Sequence, residues 1–481
     1  MPASAAPQPR DPLDEILLSF SSSDHFTVRD ACEGVQIFGG IGSGKTSGSG
    51  ALLARSYLLA GLGGLVLTAK PDEADLWRQY ANQTGRSKDL LVFDDRGPCR
   101  FNALEYECKR PGRGSGITEN LVELFDVLVQ VASRTSAPPV GENAVFWRTQ
   151  RRMLLRNSLE ALRLARVPVT FENVSKLINS APRTAEETRD GKRKNSFCYE
   201  VFLSAVQLLE AGKMSPADAH DWEKTNHYWA HAFPVIEPRQ QTTIIGSFTG
   251  MADPFQRGML WELFGTTTTI RPEDSLNGKI IVLDLPQKLY NELGVYAQVL
   301  FKFCWQRAVE RRKPDRHALP VFLWIDEAQH FVNEYDVGFQ TTSRSSRVCT
   351  VLLTQNLPNY RYYLGGDQRA QALTESLLGN LVTKIFHNNT CAVTNQYAAD
   401  LFGRDWRERV SSTSSCDDGK VRLSTNRADE LRHVVEPREF AGLRKGGPEN
   451  GYVVEGIIHQ GGKVFGASHL NALLTEFHQR Q

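Results

Sequence analysis

The stretch from Gly34 to Thr46 reads GVQIFGGIGSGKT. Gly34–Phe38 is short and largely apolar, which predicts a buried strand. Gly39–Thr46 has the spacing G-x-x-x-x-G-K-T, and a helix-compatible stretch follows it as far as Tyr57. Strand, glycine loop and helix, in that order, form the setting in which a loop cradles a phosphate tail. Glycines let successive N–H groups wrap an anion without Cβ clashes. The helix that follows turns its positive end toward the same place. The candidate nucleotide-binding residues are therefore Gly39, Gly40, Ile41, Gly42, Ser43, Gly44, Lys45, Thr46 and Ser47. Lys45 is placed to reach β- and γ-phosphate oxygens, and Thr46 to ligate Mg2+. ATP and Mg2+ are the cofactors this implies.

Hydrolysis needs a carboxylate on the magnesium side and a group that polarises water. Val321–Glu327 reads VFLWIDE, an apolar strand that ends in two carboxylates. In a parallel sheet that end lies at the edge where the phosphate loop also lies. Asp326 is expected to orient the Mg2+ shell and Glu327 to serve as base or to position the water. In isolation the pair reads better as an acidic helix start. Beside a phosphate loop it completes a hydrolytic pair. The run Cys349–Thr354 is the next strand, and Gln355 follows it as a polar amide near the γ-phosphate. Arg344 and Arg347 precede that strand. Either could stabilise transition-state charge from a neighbouring subunit, or lie in an ordinary surface salt bridge.

Further apolar runs predict strands at Gly64–Thr68, Leu90–Asp94, Lys279–Leu285 and Leu381–Phe386. Helical patterns between them imply βαβ crossovers and a mostly parallel sheet. From Ile117 to Trp229 the pattern is helical, with apolar spacing in Leu121–Val131, Ala144–Ala165 and Ser196–Ala211. The fold class expected is α/β: a RecA-like P-loop NTPase with a mostly parallel sheet and an inserted all-α domain. The domains expected are an N-terminal segment (1–30), a discontinuous ATPase domain (31–115 and 235–481) and the insert (116–234). Arg110–Gly116 and Pro234–Gln241 read as junctions. Thr184–Asn195 reads as a charged exposed loop, and Ser411–Gly419 as a loop.

Length and composition agree with a multidomain globular protein. The chain has 481 residues, 41% hydrophobic and 23% charged, with a formal net charge of +1. Bulk charge makes no case for nucleic acid, so any DNA surface must be a local patch. Eight cysteines stand singly with no CxxC pair, which fits a reducing cytosol rather than a disulfide framework or a zinc ribbon. No apolar run reaches the length of a membrane helix, and Met1–Arg10 lacks a signal-peptide layout. The expectation is a cytoplasmic protein with no integral membrane segment, held at the inner membrane, if at all, through partners.

Taken in order, GGIGSGKTSGSG, LVLTAKPDEADLWRQYA, LLVFDDRGPCRFNALEY, KIIVLDLPQKLYNELGVYAQVLFKFCWQ, VFLWIDEAQHF, SRSSRVCTVLLTQNLPNY and GNLVTKIFHNN resemble the type IV coupling proteins of bacterial conjugation. These are of the TraG/TraD type, within the FtsK/HerA superfamily of ring-shaped DNA pumps. The resemblance spans roughly residues 30–410. It implies the Walker A roles for Lys45 and Thr46, the Walker B roles for Asp326 and Glu327, and a sensing role for Gln355. Arg344 then stands where a trans-acting arginine is expected, in preference to Arg347. Lys70 and Asp72 match a DPKGE-like segment whose first Asp is Ala69 here. The resemblance also implies a hexameric homo-oligomer, DNA through its centre, and a relaxase or secretion-channel partner.

For DNA itself, the helix Ala144–Ala165 offers Arg148, Arg151, Arg152 and Arg156, with Arg163 at its end. Lys192, Arg193 and Lys194 form a second basic cluster. A solvated basic face is the slightly better account of any single one of these residues. His227 and His231 have an i, i+4 spacing that suits zinc, but the aromatic surroundings favour packing. Three functions are open: a DNA-translocating ATPase of conjugation or type IV secretion, a HerA-like translocase in DNA processing or phage defence, and a nucleotide-gated scaffold that hydrolyses slowly. An intact Glu327 and a candidate Arg344 favour a motor over the scaffold.

Overall fold

The computed structural model describes residues 11–135, 143–190, 195–417 and 420–479. All seven apolar runs form strands, and they lie side by side. In chain order these are β3 (Val35–Phe38), β4 (Gly63–Leu67), β5 (Leu90–Phe93), β6 (Ile280–Leu283), β7 (Val321–Ile325), β8 (Val348–Thr354) and β9 (Thr383–Phe386). A small hairpin, β1 (Ile16–Ser19) and β2 (His25–Thr27), precedes them. After them come β10 (Arg404–Asp417), β11 (Lys420–His433), β12 (Val453–Gln460) and β13 (Leu473–His478).

The main sheet has the order β13-β12-β9-β3-β8-β7-β4-β6-β5. The strands from β9 to β5 are parallel; β12 and β13 extend the edge antiparallel. Strands β3, β4 and β6–β9 are buried throughout, because helices cover both faces. One face carries Val66, Phe322, Trp324, Val351 and Leu353 against the helices Ala51–Leu59 and Glu73–Gln83. Trp77 stacks there on Phe322 with 5.6 Å between ring centroids. The other face carries Leu65, Leu67, Leu323, Ile325 and Leu352 against the long helix Gln287–Glu310 and a helical layer beyond it.

No strand lies between β5 and β6 among the described residues. Helices fill that span, several started by a side chain that accepts from an N–H of the first turn: Thr170, Ser196 and Ser215 each do so. Thr118–Ala132 contains the periodic stretch Leu121–Val131, and Asn143–Leu164 and Phe197–Glu210 match Ala144–Ala165 and Ser196–Ala211 to within a residue at each end. Phe171 stacks on Phe255 at 4.5 Å and meets Phe125 edge-on. The helical stretch runs on to Phe264, past the junction expected at Pro234–Gln241, because the helix Pro238–Ala252 packs on its neighbours through Phe248 and Ile244.

Two expected loops differ. Ala185–Asp190, within the stretch Thr184–Asn195, is a short helix. Ser411–Asp417 is strand rather than loop: β10 and β11 pair in unbroken antiparallel register from Arg404↔His433 to Asp417↔Lys420. The serines gave no apolar period to read, yet backbone pairing needs none.

Candidate nucleotide site

The phosphate loop springs from the end of β3 and bends through two left-handed glycines, Gly42 (φ 68°) and Gly44 (φ 81°). A side chain at Gly44 would also strike Val454 of β12. The helix begins as a wide turn over Thr46–Gly50, with Gly50 N–H donating to Lys45 C=O at 2.9 Å, and continues as Ala51–Leu59. The first turn of a helix leaves N–H groups with no partner inside the helix. Here that turn borders a cleft of about 640 Å3 lined by Lys45, Thr46, Arg55, Lys70, Tyr80 and Gln479, among others. The hydroxyl of Ser43 is buried in the loop and has no protein partner.

Strand β7 brings its carboxylates to the loop. Thr46 Oγ1 donates to Asp326 Oδ2 at 3.0 Å, and Lys45 Nζ lies 3.5 Å from Glu327 Oε1. Glu327 adopts a left-handed backbone, φ 46° and ψ 50°, a strained conformation that is characteristic of functional sites. Its N–H donates to Asp326 Oδ1 at 2.8 Å. Gln329 Nε2 donates to Glu327 Oε2 at 2.9 Å, and Thr354 Oγ1 holds Gln329 in turn at 2.7 Å. Gln355 Nε2 reaches both Glu327 oxygens at 3.3 and 3.4 Å. Lys45, Thr46, Asp326, Glu327 and Gln355, read separately from the sequence, thus converge on one place.

The sequence reading did not place Glu73, Gln329 or Gln479 here, and gave Lys70 no task. Lys70 Nζ lies 3.4 Å from Glu327, 3.6 Å from Asp326 and 3.7 Å from Glu73. Glu73 is buried and accepts the Ala69 N–H at 2.6 Å. Both follow β4, the neighbour of β7, so the strand-end logic that found Asp326 could have found them. Gln479 Nε2 donates to Ser47 Oγ at 2.6 Å from a position 432 residues away, and no local signal marks it.

The charges set each other. Burial would raise the Glu327 carboxyl, but Lys45, Gln329, Lys70 and Gln355 together hold it down at about 2. Burial, and then the charge of Asp326, push Glu73 up to about 8 against the pull of Lys70 and the Ala69 amide. Burial opposes the charge on Lys70, yet Asp326, Glu73 and Glu327 hold its ammonium above the usual lysine value. Hard oxygen donors such as Thr46 Oγ1 and Asp326 fit Mg2+, which takes one or two carboxylates and completes its shell with phosphate and water.

Other candidates lie elsewhere. Arg344 pairs with Glu33 at 3.0 Å, beside the starts of β3 and β8, at the sheet edge opposite its own phosphate loop. Arg347 has a left-handed backbone, φ 55°, and donates to Ala318 C=O at 2.7 Å. Four arginines of Asn143–Leu164, namely Arg148, Arg151, Arg152 and Arg156, face carboxylates of Thr118–Ala132. Arg148 and Arg151 reach the buried Asp126 at 2.7 and 2.8 Å. Arg152 pairs with Glu119 and Glu123, and Arg156 with Glu119 at 2.8 Å. Lys192, Arg193 and Lys194 lie outside the described residues. The rings of His227 and His231 are 5.2 Å apart, and among the described residues no group of three or more His, Cys, Asp or Glu could hold a metal.

Residues 320–445, which begin at β7 and run past Gln355, match the family model described as the TraM recognition site of TraD and TraG. The chain is similar to the type IV coupling proteins of the TraG/TraD type. Its fold is that of the plasmid coupling protein TrwB. With the trigonal form of TrwB in complex with sulphate it shares 15% identity and a TM-score of 0.59, over 98% of this chain and 92% of that one. With TrwB bound to the non-hydrolysable ATP analogue ADPNP the values are 14% and 0.59, over 98% and 92%. With TrwB in complex with ADP and Mg2+ they are 14% and 0.56, over 98% and 91%. No protein of curated function matches the chain in sequence. Among the described residues no helix is long and apolar enough to cross a membrane.

Proposed function

We propose that this chain is an ATP-hydrolysing motor that moves DNA, or DNA with bound protein, as a coupling protein of conjugation or type IV secretion. One observation carries the reading: Lys45 meets Glu327 and Thr46 meets Asp326 across strands far apart in sequence, while Gln355 donates to the same Glu327. On this reading the loop amides and Lys45 bind the β- and γ-phosphates. Thr46 and Asp326 hold Mg2+, which neutralises phosphate charge and fixes its orientation. Glu327, aimed by Gln329 and Gln355, orients the attacking water and accepts its proton. The depressed Glu327 carboxyl belongs to a state in which Lys45 is its counter-ion. Once phosphates engage Lys45, Glu327 recovers basicity, so its proton affinity follows occupancy of the site.

The domain division expected from the sequence, with the helical insert set against the ATPase sheet, belongs to the same proposal. So does a ring of copies in which Arg344 faces a neighbour's phosphates, since it lies at the edge away from its own. In the helical layer, Arg156 is the arginine able to exchange a carboxylate for a DNA phosphate, because its pair with Glu119 is solvent-exposed and such pairs are weak. The name of the matched segment, a TraM recognition site, supports a partner on the relaxase side of a conjugation complex.

The test is ATP turnover with and without single- and double-stranded DNA, with mass by light scattering. DNA-stimulated turnover in an oligomer, abolished by Lys45→Ala, is expected. A strict monomer with DNA-independent turnover would sink the motor, and wild-type turnover in Lys45→Ala would sink the site.

A further inference from the structure

Lys70 has no part in the mechanism above, yet it touches both carboxylates on which that mechanism depends. Strand pairing explains its place: Leu67 of β4 lies opposite Ile325 of β7, so the residues that follow each strand emerge together. Its ammonium shares its partners. Asp326 Oδ2, 3.6 Å from Lys70 Nζ, is the oxygen that accepts Thr46 Oγ1. Glu327 Oε1, 3.4 Å away, is the oxygen nearest Lys45.

Charge counting gives this arrangement a meaning. Asp326 and Glu327 are two nearly buried carboxylates beside the two ammonium groups of Lys45 and Lys70. Removing Lys70 would leave the site with surplus negative charge where it is poorly screened. A divalent cation bound to Thr46 and Asp326 would compete for an oxygen that Lys70 already neutralises, and like charges at that separation repel. Lys70 can yield. Its side chain is 38% exposed, on a flexible stem, and it lines the cleft with Lys45 and Thr46.

We propose that Lys70 is an exchangeable counter-ion of the magnesium site. It neutralises Asp326 and Glu327 while no divalent ion is present, and gives up Asp326 as the magnesium nucleotide binds. The displaced ammonium stays in the phosphate cleft. Bare divalent cation therefore binds poorly, and the site loads metal together with nucleotide. This rests on the reading of the site as a Mg2+-nucleotide site.

The experiment measures Mn2+ binding to nucleotide-free protein by electron paramagnetic resonance, in wild type, Lys70→Met and Lys70→Gln. Both variants are expected to bind Mn2+ about tenfold or more tightly than wild type. The gain is expected to vanish when Asp326→Asn is added. Thermal melting of both variants accompanies the titration, and either folded variant suffices. Unchanged or weaker Mn2+ affinity in a folded variant would overturn the counter-ion role. Binding of a fluorescent Mg2+-ATP analogue to wild type separates the two levels. If wild type binds the analogue but the variants gain no Mn2+ affinity, only the role of Lys70 fails. If wild type binds no analogue, the nucleotide site itself fails.

Discussion

Glu327 was legible because Asp-Glu follows an apolar strand; what its carboxyl experiences was not, since Lys45 and Gln355 reach it only in the folded chain. Glu327→Gln keeps the shape and hydrogen bonding and removes the base. It should bind nucleotide as wild type does while turnover falls by a factor of about 100 or more, measured as phosphate release beside nucleotide titration. His387 is a second residue whose role depends on burial. Its ring bridges Ser49 Oγ at 2.7 Å and the Glu455 carbonyl at 2.8 Å, tying the loop helix to β12. Burial lowers its pKa to about 4, against about 6.5 in an unfolded chain. Because the unfolded state takes up the proton first, the stabilisation from a neutral His387 is complete above pH ~6.5 and is lost as pH falls toward 4. The shift is worth about 3 kcal/mol. Urea titrations at pH 7 and pH 5 should show the loss, and His387→Gln should flatten it.

At the scale of elements, strands β3–β9 could be read because a parallel strand covered on both faces needs a continuous apolar run. Strand β13 could not: it alternates, LLTEFH with every second residue buried, and stands at an edge. Strands β10 and β11 pair through their backbones and through cross-strand ion pairs such as Arg427–Glu408, and leave Trp406, Val410 and Leu431 exposed. The helix Asn143–Leu164 was correctly read as helix and as basic. The sequence could not reveal that Arg148, Arg151 and Arg152 meet Asp126, 22 to 26 residues earlier. Asp126 is fully buried, so Asp126→Ala strands guanidinium charge between two helices. A loss of about 3–5 kcal/mol is expected, read as a lower urea midpoint. Arg156, at the rim, should behave differently. Arg156→Gln should leave stability within about 0.5 kcal/mol and reduce the salt slope of DNA binding by about 1.

At the scale of the molecule, the two ends of the parallel strands carry different groups. One carries the phosphate loop and the carboxylates; the other carries Arg344. If copies pack so that these ends meet, neither Arg344→Ala nor Glu327→Gln alone should turn over ATP, and mixing them should restore part of the activity by uniting one intact pair of half-sites. No rescue in the mixture would count against a trans-acting arginine. The order of the sheet has another consequence, for the timing of synthesis. Strand β3 leaves the ribosome early, but its neighbours β8 and β9 come late. Thr46 meets Asp326 across 280 residues, and Ser47 meets Gln479 across 432. A nascent chain therefore carries its glycine loop for most of translation with no sheet behind it. Such long-range pairing is slow and leaves apolar strands exposed. An amino-terminal fragment ending at residue 115 is expected to bind no nucleotide despite containing the whole loop, and the full chain should require chaperone protection until its last strands emerge.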